Sequence, residues 1–342
     1  MKTGNHVKLE QFINFHSLAD QTFDLEGEYY TLHNYELDSY DRKFAIIDCR
    51  AQNDRLKGNT EFYSELRKRC DLLHSQGFVF IKANPWESLD NINSNKQYPE
   101  VDLEHIKWTG DVSWFWFYMY DKHKDNKFNF THDHNGSYWH KKYDFLYLNK
   151  ATRKHRVTLY NKLRDDDVLD NSIYSFTMLE TPIRLEKKYE LPGIDPKDYP
   201  RFGKDQDITE LPYIDTVCSI VSETNDNDYE VFMTEKIWKP IMAQQVFVVH
   251  GNYLYLQRLK EIGFKTFGNY IDESYDLERD PEKRINKIVS LCKDLKTKNW
   301  QDIYLQTKAL RKHNYDTLFN KEKLSLEINK TLNLFLEFAD SR

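Results

Sequence analysis

Glu223, Thr234, Glu235 and Lys236 are the residues whose types and spacing promise chemistry. A Thr-Glu-Lys run behind a polar loop suits a helix N-terminus, with Thr234 as the N-cap and Glu235 in the first turn. Lys236 fits less well there, because a cation opposes the helix dipole. An anion such as a diphosphate would resolve that conflict, since the ammonium and the free backbone N–H groups could both bind it. Glu235 could then accept hydrogen bonds from ribose hydroxyls. The plainer alternative is a solvated Glu-Lys pair on an ordinary helix.

A second cationic cluster runs Lys150-Ala151-Thr152-Arg153-Lys154-His155-Arg156. Arginine offers a planar fork for phosphate oxygens, so Arg153 and Arg156 are two unranked candidates for a diphosphate clamp. A solvated basic turn is the alternative. Three aspartates could serve as a general base: Asp48 and Asp111 at strand ends, and Asp133 within Thr131-His132-Asp133-His134. Asp111 is favoured, because the Thr-Gly-Asp ending presents its side chain beyond the strand. His132 is the fallback base. His132 and His134 have a spacing that can bind metal, but no third ligand stands near them, so no metal site is assigned.

These residues need elements to hold them. Residues 217–221 (VCSIV) are a β-branched run that suits a strand buried on both faces. A polar loop, 222–228, follows it. A helix then opens at Thr234-Glu235-Lys236, with Ile237, Trp238, Ile241 and Met242 on its apolar face. Residues 246–249 form a second buried strand, ending at His250-Gly251-Asn252. Strand, loop, helix and strand together have the size of one βαβ unit. Such units bind ligands at strand carboxyl ends and helix N-termini.

The remaining elements fall into two halves. In residues 1–142, strands are expected at 43–49, 78–83 and 105–109, a helix at 61–75, and an aromatic strand at 112–120. In residues 143–297, a strand at 144–149, a helix at 157–163, a strand at 172–179 and a surface excursion at 180–211 precede the central unit. A helix at 253–262, a strand at 264–267 and a helix opening on Asp280-Pro281-Glu282 follow it. Two helical stretches, 299–318 and 321–338, close the chain within the segment 298–342.

The formal net charge of −6 over 342 residues does not suggest bulk nucleic-acid binding. Cys49, Cys70, Cys218 and Cys292 show neither metal nor disulfide spacing and suit buried free thiols. No signal-peptide core or membrane-length apolar run is evident. The expectation is a cytoplasmic chain, in the host cytoplasm if a phage encodes it.

The segment 145–280 resembles the donor-binding region of the family 10 glycosyltransferases, the α-1,3-fucosyltransferases. The matching residues are Glu223, the block Phe232-Met233-Thr234-Glu235-Lys236, and Val246-Phe247-Val248-Val249-His250-Gly251. Glu235-Lys236-Ile237-Trp238-Lys239-Pro240 and Gly263-Phe264-Lys265-Thr266-Phe267 are similar to runs in uncharacterised phage glycosyltransferases. Thr224 stands where the family has Asn, and Phe232 where it has Tyr. The resemblance implies an α/β GT-B architecture of two facing Rossmann-like domains with C-terminal helices crossing back. It also implies a glycosyltransferase, inverting and metal-independent, with a nucleotide-diphosphate sugar as co-substrate and no other cofactor. Glu223, Thr224, Thr234, Glu235, Lys236, Gly251 and one of the two arginines would bind the donor. The family-like acceptor is a surface glycan. A hydroxymethylated base in phage DNA is the alternative, and a non-catalytic nucleotide- or glycan-binding protein is the alternative of another class.

Overall fold

A computed structural model describes residues 31–36, 43–48, 78–83, 106–109, 113–125, 141–189, 208–226 and 231–327. The chain divides into two compact units, one of residues 1–113 with 321–342 and the other of residues 114–320. In the first, strands β1 (Thr31–Glu36), β2 (Lys43–Asp48), β3 (Phe78–Ala83) and β4 (Ile106–Thr109) form one sheet in that order. β2, β3 and β4 are parallel, and β1 lies antiparallel on the edge. The strands expected at 43–49, 78–83 and 105–109 are therefore present. β1 was not expected, since residues 1–40 carry little pattern. The helix expected at 61–75 lies outside the described residues, as do Cys49 and Cys70.

The second unit opens with helix α1 (Ser113–His123). An aromatic strand was expected here, and the structure corrects it. A short apolar run cannot separate strand from buried helix by periodicity. Phe115, Trp116 and Met119 are all buried, at helical spacing. Trp116 donates from Nε1 to the Leu318 carbonyl at 2.8 Å, and its ring lies 5.9 Å from Trp238 and 5.0 Å from Phe264.

A four-stranded parallel sheet forms the centre of this unit. Its strands are β5 (Tyr143–Asn149), β6 (Ser172–Phe176), β7 (Thr216–Ser222) and β8 (Val246–His250), in the order β6-β5-β7-β8. All seven residues of β7 and all five of β8 are buried, which explains the apolar, β-branched stretches at their centres. Helix α2 (Lys154–Asp165) links β5 to β6, the short α3 (Glu210–Asp215) leads into β7, and α4 (Glu235–Met242) links β7 to β8. Right-handed crossovers running in opposite directions along the sheet place α2 and α4 on opposite faces.

Helix α5 (Tyr255–Glu261) follows β8, then α6 (Pro281–Thr297), α7 (Trp300–Gln306) and α8 (Lys308–Leu318). α6 starts as its sequence dictates: Asp280 caps the N–H groups of Glu282 and Lys283, and Pro281 occupies the first turn. The strand expected at 264–267 is a loop. The Lys265 N–H and C=O are both satisfied by the Asn314 side chain, at 2.8 Å each, rather than by a strand neighbour. That frees Phe264 to pack on Trp116 and Trp238, and Phe267 on Phe247. Cys218 and Cys292 are buried free thiols, as expected. No helix among the described residues is long and apolar enough to cross a membrane.

Candidate functional site

The strand order creates one distinctive place. From β5 the chain passes to β6 on one side, then returns to β7 on the other side of β5. Ligands of open α/β sheets bind at such a switch point, outside the strand carboxyl ends. Two loops and two helix N-termini meet there: the 150–153 turn before α2, and the loop between β7 and α4.

Glu223, fully buried, is the hub. Its N–H donates to the His250 carbonyl at 2.8 Å, tying it to the end of β8. Its own carbonyl accepts two bonds from Arg156, from Nε at 3.1 Å and Nη2 at 2.9 Å, and His155 Nε2 lies 3.1 Å from the same oxygen. Its carboxylate accepts from Thr234 N at 3.1 Å, Thr234 Oγ1 at 2.5 Å and the Tyr255 hydroxyl at 2.8 Å. One residue thus ties β8, α2, α4 and α5 together. Every bond is internal, so Glu223 orients the loop and the helix starts.

Thr234 is the N-cap of α4, as its type demands, with its side chain accepting from the Lys236 N–H. Lys236 Nζ lies 2.8 Å from Thr234 Oγ1, 2.8 Å from Glu235 Oε1 and 3.5 Å from Thr224 Oγ1. The ammonium is partly exposed, while Glu235 and Thr224 are buried. Burial raises the Glu235 pKa, but the Lys236 and Lys239 cations outweigh it and hold the carboxyl below its ordinary range. The solvated Glu-Lys pair weighed from sequence is thus a largely buried pair at a helix start.

The two arginines have different places. α2 begins at Lys154, earlier than the 157 expected, so Arg156 falls on the buried helical face with Leu159, Tyr160 and Leu163. It is spent on the Glu223 carbonyl. Arg153 is the exposed N-cap residue and makes no side-chain cap. The first turn of α2 holds no acid. Its first N–H groups, Arg153 and Lys154 therefore form a positive helix start, with the Asp226 carboxylate 3.4 Å from His155 in the same turn.

Gly251 lies beneath this assembly. A Cβ added there would stand 2.6 Å from Tyr255 Cδ2, so glycine is what lets the Tyr255 ring reach Glu223. The Gly251 carbonyl accepts from Arg284 Nη1 at 2.6 Å, and the Asp226 carbonyl from the same nitrogen at 2.8 Å. Buried Arg284, on α6, thereby fixes both loops.

Sequence reasoning missed Tyr255, Arg284, and the group of His155, Asp226 and His250. Arg284 carried a signal, since it stands four residues before Ile288 on the apolar stripe of α6. His155 Nδ1 lies 3.4 Å from Asp226 Oδ1, and His250 Nε2 lies 3.9 Å from Asp226 Oδ2. Burial lowers both imidazole pKa values, and that of fully buried His250 falls well below its ordinary range.

The base candidates Asp111, His132 and Asp133, with His134, lie outside the described residues. Asp48 ends β2 in the first unit, as expected. Among the described residues, no group of three or more His, Cys, Asp or Glu side chains is placed to hold a metal ion.

Fold and site define a class: an α/β protein whose parallel sheet carries a polar, cation-bearing cluster at its switch point. The chain matches no family model, no curated protein and no solved structure.

Proposed function

We propose that the chain is a GT-B glycosyltransferase that moves a sugar from a nucleotide-diphosphate donor to an acceptor hydroxyl. The observation that carries this is the pairing of two cationic helix starts at one switch point. Lys236 stands in the first turn of α4, and exposed Arg153 stands at the uncapped start of α2. Two such N-termini suit the two phosphates of a diphosphate. Glu235, beside Lys236, is the acceptor for ribose hydroxyls, and Thr224 lines the same place. Glu223, Thr234, Arg156 and Gly251 position the others.

The proposed reaction is one direct displacement, with inversion. The acceptor oxygen bonds to the anomeric carbon as the bond to the diphosphate oxygen breaks. A base from the first half of the chain takes the hydroxyl proton, with Asp111 first, then Asp133 or His132. Lys236 and Arg153 stabilise the charge arriving on the leaving diphosphate, the work that a divalent cation also performs in phosphoryl sites. A surface glycan is the proposed acceptor.

Calorimetric titration of uridine, guanosine, cytidine and adenosine diphosphates tests the donor assignment. At least one should bind, and Lys236→Ala should weaken it by about 1.5–3 kcal/mol, the worth of a charge-assisted bond. Equal affinity in that variant removes Lys236 from the site. Release of nucleotide from the cognate sugar donor then separates an enzyme from a binding protein, which would release none.

A further inference from the structure

We propose that Asn149, Ser222 and His250 form a buried subsite for the uncharged, hydrogen-bonding edge of the donor's nucleoside base; this rests on the nucleotide-sugar assignment above. The three residues end three adjacent parallel strands. Ser222 pairs with His250, and the register that sets Leu146 beside Ser219 brings Asn149 level with Ser222. Side chains on one rung of a parallel sheet share a face, so the three form a row across the carboxyl end. Asn149 is 6 %, Ser222 2 % and His250 0 % exposed.

Five atoms in this row are buried without a well-placed hydrogen-bond partner: Asn149 Oδ1 and Nδ2, Ser222 Oγ, and both ring nitrogens of His250. The neighbours leave most of the row unmatched. The Tyr147 hydroxyl gives its one proton to the Arg156 carbonyl at 3.3 Å, so toward Asn149 and Ser222, which hydrogen-bond it from the row and lower the phenol's pKa, it can only accept. Asp226 Oδ2 stands 3.9 Å from His250 Nε2, beyond hydrogen-bond reach. Native interiors leave few polar atoms unpaired, because each one costs free energy. Five in a single row, at the end of a sheet where ligands bind, mark a place built to be filled.

The row also restricts what fills it. Asn149 offers a donor and an acceptor, Ser222 both, and a neutral imidazole one of each. Burial, with the Arg284 and Arg156 cations and the His155 ring acting in the same direction, favours the neutral form of His250. A phosphate would satisfy only the donors and leave the acceptors stranded. A heterocyclic base edge, with alternating donors and acceptors and no charge, satisfies both. The anionic part of the donor belongs to Lys236 and Arg153 at the helix starts.

Ser222→Ala and Asn149→Leu test the assignment in the full chain, with calorimetry of the nucleoside diphosphates above and of inorganic pyrophosphate. Each variant removes buried polar atoms whose one internal neighbour is the Tyr147 hydroxyl, so the unliganded chain should melt close to the native temperature. Affinity for the best nucleoside diphosphate should fall about tenfold per variant, the worth of a lost hydrogen bond. Pyrophosphate affinity should stay unchanged. Native-like nucleotide affinity in both variants overturns the subsite, as does an equal loss for pyrophosphate. Should Asn149→Leu fail to fold, Ser222→Ala, which deletes one oxygen, decides alone. If the native chain binds pyrophosphate but no nucleoside diphosphate, the donor assignment falls as well. If it binds nucleotides and the variants bind them equally, only the subsite falls.

Discussion

Replacing Glu223 with glutamine tests whether this carboxylate is the hub that sets the two helix starts. Oε2 takes the Thr234 hydroxyl at 2.5 Å, while Oε1 takes the Thr234 N–H at 3.1 Å and the Tyr255 hydroxyl at 2.8 Å. Glutamine keeps the shape, but its amide must present a donor to one of these donors. With Nε2 in place of Oε2, it faces a hydroxyl that already accepts from Lys236 Nζ at 2.8 Å. One bond to a charged acceptor is lost, worth about 1.5–3 kcal/mol, and two others weaken to neutral bonds. The expected loss of stability is about 2–4 kcal/mol in urea denaturation. Tyr255→Phe removes one bond and should cost about 1–2 kcal/mol. The double variant should lose less than the sum, by at least about 0.5 kcal/mol, because the two residues touch. A Glu223→Gln chain as stable as the native one, or strict additivity with Tyr255→Phe, would refute the hub.

Gly251→Ala should destabilise the chain by about 1–3 kcal/mol, since its Cβ meets the Tyr255 ring at 2.6 Å; thermal melting with near-native stability would show that the ring moves freely. Arg153→Ala should leave stability within about 0.5 kcal/mol, because the side chain is exposed, yet weaken pyrophosphate binding about tenfold in calorimetry. Arg156→Ala should do the reverse and lose about 1.5–3 kcal/mol of stability, because its two bonds hold the Glu223 carbonyl. Swapped effects would mean that the roles of the two arginines are exchanged.

The central βαβ unit was legible because its signals are local. A β-branched run buried on both faces can be little else than an inner strand, and Thr234 caps α4 through its own side chain. The two arginines were visible as cations, but separating them needed the phase of α2. The stripe of Arg156, Leu159, Tyr160 and Leu163 holds that phase, once the helix is started at Lys154. Other features depend on distant residues and leave no local trace. Tyr255 reaches Glu223 across 32 residues. Asn314 replaces a strand neighbour for Lys265 across 49. The aromatic run of α1 has the composition of a strand, and becomes a helix packed on Trp238 and Phe264.

The charge at the start of α4 leads to a prediction about acid. Lys236 conflicts with the helix dipole, and in the free chain Glu235 relieves that conflict at 2.8 Å. Burial pushes the Glu235 carboxyl up, but Lys236 and Lys239 pull it down further, so its folded pKa lies below the unfolded value of about 4.3. A depressed carboxylate contributes stability that is fully present above the unfolded value and is lost as pH falls through the folded one. The native chain should therefore lose stability relative to Glu235→Gln as pH is lowered from about 5 to about 3. Parallel denaturation curves for the two chains would contradict the pairing. The same pair sets the order of events on binding. A diphosphate that takes Lys236 draws it from Glu235 and leaves the carboxylate to the ribose. Glu235→Gln should accordingly bind pyrophosphate as well as the native chain or more tightly, while nucleoside diphosphates bind more weakly. An equal loss for both would place Glu235 at the phosphates and reverse its role.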